Sequence, residues 1–294
     1  LQGEGALEKL AAVQSAAENE MAFQQRAGVP ENLQHLIFGH AWSFTFHDSR
    51  FKFLSEPPTG SRCFFLDSNS RIFNSGFVPK WAKTIVAILL LPFCVGAALA
   101  LRMVIHASGS ADTTWVPLLA GVCCWIVIYL LLPRPMWIYV FGHEMTHALW
   151  TWACGGSVRR FKATSDGGHV IVTKTNFLIA LAPYFFPLYA VCVVVGFVAG
   201  HWIWNWKGYL AWFHLFLGAA YAFHVTLTCH VLKSRQTDIT QQGYLFSAVI
   251  IFLGNVTVLL LGIPLIAAKV DVLTSLGWWM ECTGMFFHDV GKLL

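Results

Sequence analysis

The chain has 294 residues, 56% of them hydrophobic and only 12% charged, with a net charge of +4 at pH 7; its mean hydropathy is +0.60. These values exclude an ordinary soluble domain and place the chain among membrane proteins. The small positive charge is spread over several loops with no concentrated basic stripe, which excludes nucleic acid as a partner.

The sequence opens without a basic region leading into an apolar core, so no cleavable signal peptide is expected and insertion falls to the internal apolar segments. Between residues 5 and 26, Leu7, Leu10, Val13, Ala17 and Met21 share one helical face, with Glu4, Glu8, Glu18 and Glu20 around it, as in a short surface helix. Gly28-Val29-Pro30 ends that pattern. The run 42–47 then alternates apolar and polar residues like a half-buried strand, with a turn at 47–50 into a second run at 51–53. A second such pair is expected at 63–66 and 71–73. His35, His40 and His47 lack regular ligand spacing and read as surface or packing histidines. Residues 1–80 therefore form a small soluble or membrane-surface region of mixed character.

A span needs about 20 mainly apolar residues, and six segments approach that: 84–104, 115–132, 135–154, 176–204, 209–232 and 244–267. Pro133-Arg134-Pro135 joins the second to the third, either as a tight hairpin or as the break in one interrupted helix. Gly196 and Gly200 form a GxxxG, weak evidence for a helix contact in a Gly-rich membrane chain. Between the third and fourth segments, 157–164 and 169–175 flank Ser165-Asp166-Gly167-Gly168, a β-hairpin signal. Residues 268–294, with Trp278, Trp279, Phe286 and Phe287, suit an interfacial tail and are too interrupted to span. Of the eight cysteines, Cys94, Cys123, Cys124, Cys154, Cys192 and Cys229 lie in or beside apolar runs, and no C-x-x-C occurs. They read as small buried hydrophobes rather than a disulfide framework. The loops after the third and fifth segments hold Arg159, Arg160, Lys162, Lys174, Lys233 and Arg235, which makes their side cytoplasmic by the positive-inside rule. Lys80 and Lys83 conflict with counting three crossings back from there, so charge leaves the side of the N-terminal region open.

The third segment carries His143-Glu144-Met145-Thr146-His147. Positions four apart share a helix face, so both imidazoles can address one metal ion, with Glu144 beside them to take a proton from a metal-activated water. With twelve histidines in the chain, HExxH arises by chance on the order of once per hundred such sequences. The metal-free alternative is a buried polar network, but ionisable groups in an apolar segment point first to function. A zinc site needs a third protein ligand. The extended pattern HExxHxxGxxH fails, because Trp150 and Ala153 stand at its Gly and third His. Glu281, Asp271 and Asp289 fall on the opposite side of the membrane, and His201 and His214 near the far ends of their helices. Asp166, His169, His224, His230 and Asp238 remain. On depth, His224 matches His147 better than Asp238 does, and Asp238 followed by Gln241 also fits a capping box at a helix start.

Phe141-Gly142-His143-Glu144-Met145-Thr146-His147-Ala148, followed by Gly155-Gly156 and a short hairpin, resembles the core of the site-2 protease family of intramembrane zinc metalloproteases. The resemblance covers roughly residues 115–267 and says nothing about the first 80. It implies a third ligand from an Asp near the start of a later core helix, and Asp238 occupies the matching place. The family's Asp-Gly pair is absent there, since Ile239 follows; the literal pair, Asp166-Gly167, lies in the hairpin turn, where Asp166 also reads as a turn residue.

The expected fold is an all-α polytopic membrane protein with about six transmembrane helices, a short β-hairpin after the HExxH helix and a small mixed N-terminal region. Its divisions are 1–80, a metalloprotease-like membrane domain at 84–267 and the tail at 268–294. The expected activity is hydrolysis of a peptide bond of a membrane-protein or peptide substrate in or near the bilayer, on the cytoplasmic side. The resemblance implies Zn2+ on His143, His147 and Asp238, with Glu144 as general base and acid, while the residues themselves leave His224 and Asp166 open as the third ligand. An exposed hairpin edge offers a place for substrate as an added strand, against the plainer reading of a connecting hairpin. The competing function is a non-catalytic membrane protein of the same fold that binds a partner or substrate helix and keeps the metal structurally. A diiron oxidase would need several clustered His boxes, and only one is present.

Overall fold

The computed structural model describes residues 44–46, 64–67, 79–164 and 167–293. The helix expected at 5–26, the runs at 51–53 and 71–73, His35, His40, His47 and Asp166 lie outside them. The described chain is mostly helical. Strands β1 (Phe44–Phe46) and β2 (Phe64–Asp67) come first. They are followed by α1 (Lys80–Ala107), α2 (Asp112–Leu131) and α3 (Met136–Ala153). Strands β3 (Val158–Thr164) and β4 (Gly167–Val172) lead to α4 (Phe177–Leu181), a 3-10 turn (Ala182–Tyr184) and α5 (Leu188–Trp204). The chain closes with α6 (Leu210–Val231), α7 (Thr237–Gln242), α8 (Tyr244–Ala267) and α9 (Val272–Leu293).

Four helices, α1, α2, α6 and α8, are long and apolar enough to cross a membrane, and α4 with α5 makes a fifth if the pair, bent by 80°, is one span. The count of six is not reached for two reasons. His143, Glu144 and His147 lower the hydropathy of α3, and the apolar stretch 176–204 is interrupted. Pro183 and Pro187 remove backbone donors and clash with a continuing helix, so the chain turns there. Exposed apolar side chains such as Leu89, Leu130, Leu131 and Leu265 cover the outer helix faces, which suits lipid and not water.

α2 packs along α6 rather than folding back on α3, so Pro133-Arg134-Pro135 interrupts the path and does not close a tight hairpin. Two glycines make the α2–α6 crossing. A Cβ on Gly121 would collide with the Leu215 carbonyl and one on Gly218 with the Leu118 carbonyl, so each helix lays its backbone against the other's, the mode by which membrane helices associate without a hydrophobic drive. Gly196 has nothing near its would-be Cβ, and Gly200 faces the Trp206 ring; the GxxxG is not the helix seam. Gly121→Val is therefore expected to destabilise the fold by about 1–3 kcal/mol, and Gly196→Val by much less. Thermal unfolding in detergent measures both, and equal losses would remove the α2–α6 assignment.

α9 is one continuous helix, not a loose tail. Its inner face, with Ser275, Cys282 and Thr283 buried, packs against α1 and α8. Ser275 Oγ donates to the Leu260 carbonyl at 2.8 Å and Trp279 Nε1 to the Phe93 carbonyl at 2.9 Å. It is not among the candidate spans.

The hairpin is the centre of a four-stranded antiparallel sheet in the order β1-β3-β4-β2. β1 pairs Phe44 with Ala163 and Phe46 with Phe161, and β2 pairs Phe64 with Val172 and Asp67 with His169. Both hairpin edges thus carry strands of the chain itself over those residues, which corrects the expectation of a free edge for substrate. It also gives the strands expected at 42–47 and 63–66 their partners. Alternate residues Phe161, Ala163, Val170 and Val172 are buried against Ile179 of α4 and Phe141 and Met145 of α3, the period of two that points one face of a sheet at a core. This packing holds the sheet against the HExxH helix.

Candidate metal centre

The middle of α3 is enclosed: Gly142, Glu144, Thr146, His147 and Ala148 are buried. The i, i+4 spacing brings the His143 and His147 rings edge to face with centroids 4.9 Å apart. His147 Nδ1 lies 2.8 Å from the Ile179 carbonyl. A carbonyl only accepts, so Nδ1 carries the proton and the Nε2 lone pair is left for an ion.

Asp238 arrives from a distant part of the chain, with Oδ2 3.8 Å from Nε2 of His143 and 3.8 Å from Nε2 of His147. It sits in the first turn of α7, whose N-cap is Gln236 with no side-chain capping bond; the capping-box reading of Asp238 does not describe this helix. Nor is α7 the beginning of α8. Gly243, at φ 98°, turns the chain between them in a conformation that L side chains rarely adopt. Lys83 Nζ at the start of α1 donates to Gln242 Oε1 at 2.6 Å and ties down the end of α7. The Tyr184 hydroxyl donates to Asp238 Oδ2 at 3.1 Å. Tyr184 lies in the break between α4 and α5, and Asn255 Nδ2 of α8 donates to its carbonyl at 3.0 Å. Irregular backbone in a membrane protein is tolerated where neighbours satisfy its freed groups, and here the break presents a side chain to the site.

Burial alone would raise the Asp238 carboxyl, but the His143 and His147 imidazoles and the Tyr184 bond outweigh it and hold the group below its ordinary value. That favours the ionised form, the form in which a carboxylate binds a metal. The side chains of His143 and Asp238 keep 12% and 13% of their surface exposed, against 2% for His147, so the centre is reached past His143 and Asp238.

The ligand atoms of His143, His147 and Asp238 all lie within 4.8 Å of one another, and the group can hold a metal ion. A tetrahedral ion at about 2.1 Å from each donor sets the donors about 3.4 Å apart. The two 3.8 Å separations therefore need to close by only about 0.4 Å, and no separation in the group, all being within 4.8 Å, by more than about 1.4 Å. Glu144 lies on the same helix under β4. A Cβ on Gly168 would come within 2.5 Å of Glu144 Cγ and 3.0 Å of Cδ, so the missing side chain at 168 is what lets the sheet lie over this carboxylate. His169, His224 and His230 do not join the donor group, and Asp166 lies outside the described residues. Reading along the chain missed Tyr184, the Ile179 carbonyl and the Lys83–Gln242 pair. Only the Pro183 and Pro187 interruption of an apolar stretch gave a signal for Tyr184, because broken membrane helices often line sites. Compared with known proteins, the chain matches no family model, no curated protein and no solved structure.

Proposed function

We propose that the protein is an intramembrane zinc metalloprotease of the site-2 protease type, hydrolysing a peptide bond of a membrane-protein or peptide substrate in or near the bilayer. The observation that supports this most is the meeting of Asp238 with the HExxH pair on one donor group. Two imidazole nitrogens and a carboxylate oxygen suit zinc rather than the all-oxygen cages of magnesium or calcium. Catalytic zinc sites keep three protein ligands and an open fourth position, and among the described residues this group has three members. That favours the enzyme over the non-catalytic protein with a closed structural site.

When bound, zinc supplies Lewis acidity and lowers the pKa of a water beside it to about 7. His143, His147 and Asp238 hold it, with Ile179 and Tyr184 orienting the second and third. Glu144 takes a proton from the attacking water and returns it to the leaving amine. Arg159, Arg160, Lys162, Lys174, Lys233 and Arg235 in the adjoining loops set the site toward the cytoplasm by the positive-inside rule.

Elemental analysis of the purified chain in detergent is expected to find about one zinc per molecule, and His147→Ala to weaken that binding by more than about 100-fold. A wild-type chain that takes up no stoichiometric metal would remove the reading. Stoichiometric zinc without cleavage of membrane-embedded reporters would return the non-catalytic one.

A further inference from the structure

Two histidines beside the centre, His143 and His224, line a space that no protein atom fills. His143 Nδ1 and His224 Nε2 are both sealed from solvent, and neither has a hydrogen-bond partner among the described residues. Both side chains line one cavity of about 20 Å3 between α3, α5 and α6. Its wall is closed by Tyr189, whose ring lies where a Cβ on Gly142 would be, 2.6 Å from Cε2, and whose hydroxyl donates to the Ile138 carbonyl. A water needs roughly 10–15 Å3 and at least two polar partners; this cavity has the room, and both imidazoles stand in its wall. Leaving two polar nitrogens unpaired in an aromatic wall is the costly alternative.

Proton bookkeeping sets the direction. With Nε2 of His143 turned to a metal, its Nδ1 carries the proton and must donate, as His147 Nδ1 does to Ile179. His224 lies outside the donor group, and with its own proton on Nδ1 its Nε2 accepts. One water receives the first bond and gives the second. We propose that His224 is a positioning residue, orienting His143 through a water held in this cavity; this rests on reading His143 as a metal ligand. The role is the counterpart of the Ile179 carbonyl, and partners of that kind tune metal affinity about 10–100-fold.

Chelator-competition titration of Zn2+ and Co2+ on the full chain in detergent tests it, with monodispersity and melting temperature as the check on folding. His224→Phe and His224→Leu remove the acceptor while keeping apolar bulk, and either one that folds is expected to bind about 10–100-fold more weakly with a shifted cobalt visible spectrum. His224→Gln, whose amide oxygen can accept from the same water, is expected to recover affinity to within about threefold of wild type, together with the spectrum. If wild type binds no metal, the reading of the centre has failed, and this proposal with it. If wild type binds but the acceptor-less variants match it in affinity and spectrum, or His224→Gln is as weak as His224→Phe, His224 has no positioning role and only this proposal is overturned.

Discussion

Glu144→Gln is expected to slow cleavage of a membrane-embedded peptide reporter by about 10²–10⁴-fold, the usual contribution of a positioned general base, while zinc content stays at the wild-type level. Gln keeps the length and shape of the side chain, so the fit under Gly168 is preserved and the candidate donors His143, His147 and Asp238 are untouched. What is lost is the ability to take a proton from water and deliver it to the amine. Because the variant separates metal binding from turnover, the two readouts together are diagnostic. Full activity with full zinc would mean that another group moves the proton, and lost zinc would mean that Glu144 shapes the site rather than acting in it.

Asp238→Ala should have the second large effect, weakening metal affinity by more than about 100-fold, beyond the loss expected for a merely orienting partner. Only the two imidazoles would remain, and no other His, Cys, Asp or Glu among the described residues completes the group. The Tyr184 hydroxyl, now bonded to Asp238, would also lose its acceptor, so a modest loss of stability should accompany the loss of metal. Isothermal titration with zinc, read beside the melting temperature, distinguishes these contributions. A variant that keeps wild-type affinity would show that Asp238 is no ligand, whatever its distance from the imidazoles.

How much could be read along the chain depended on the range of the interaction involved. The pairing of His143 with His147 follows from helix periodicity alone, so five consecutive residues sufficed to locate it. The apolar runs that became α1, α2, α6 and α8 were equally legible, since a span is a property of local composition. The stretch 176–204 reads as one span by composition, yet Pro183 and Pro187 mark the break that supplies Tyr184. The GxxxG at Gly196 and Gly200 is only weak evidence for a helix contact, and the close crossing is at Gly121 and Gly218, because the partner helix decides which small residue is used. The hairpin was visible from its turn residues, while the strands that cover its edges come from 44–46 and 64–67, and antiparallel pairing across that distance leaves no local trace.

Sequence by itself determined a membrane protein with an HExxH helix and a short set of third-ligand candidates, because hydropathy and i, i+4 spacing are written in neighbouring residues. Which of those candidates within the described chain meets the two imidazoles depends on tertiary structure alone. It brought Asp238 to 3.8 Å from both imidazoles by turning the chain at Gly243, anchoring α7 through Lys83 and Gln242, and aiming Tyr184 from a proline break. Those contacts join α1, the 3-10 turn after α4, α7 and α8, and their geometry follows from how separate helices pack rather than from any one segment's composition.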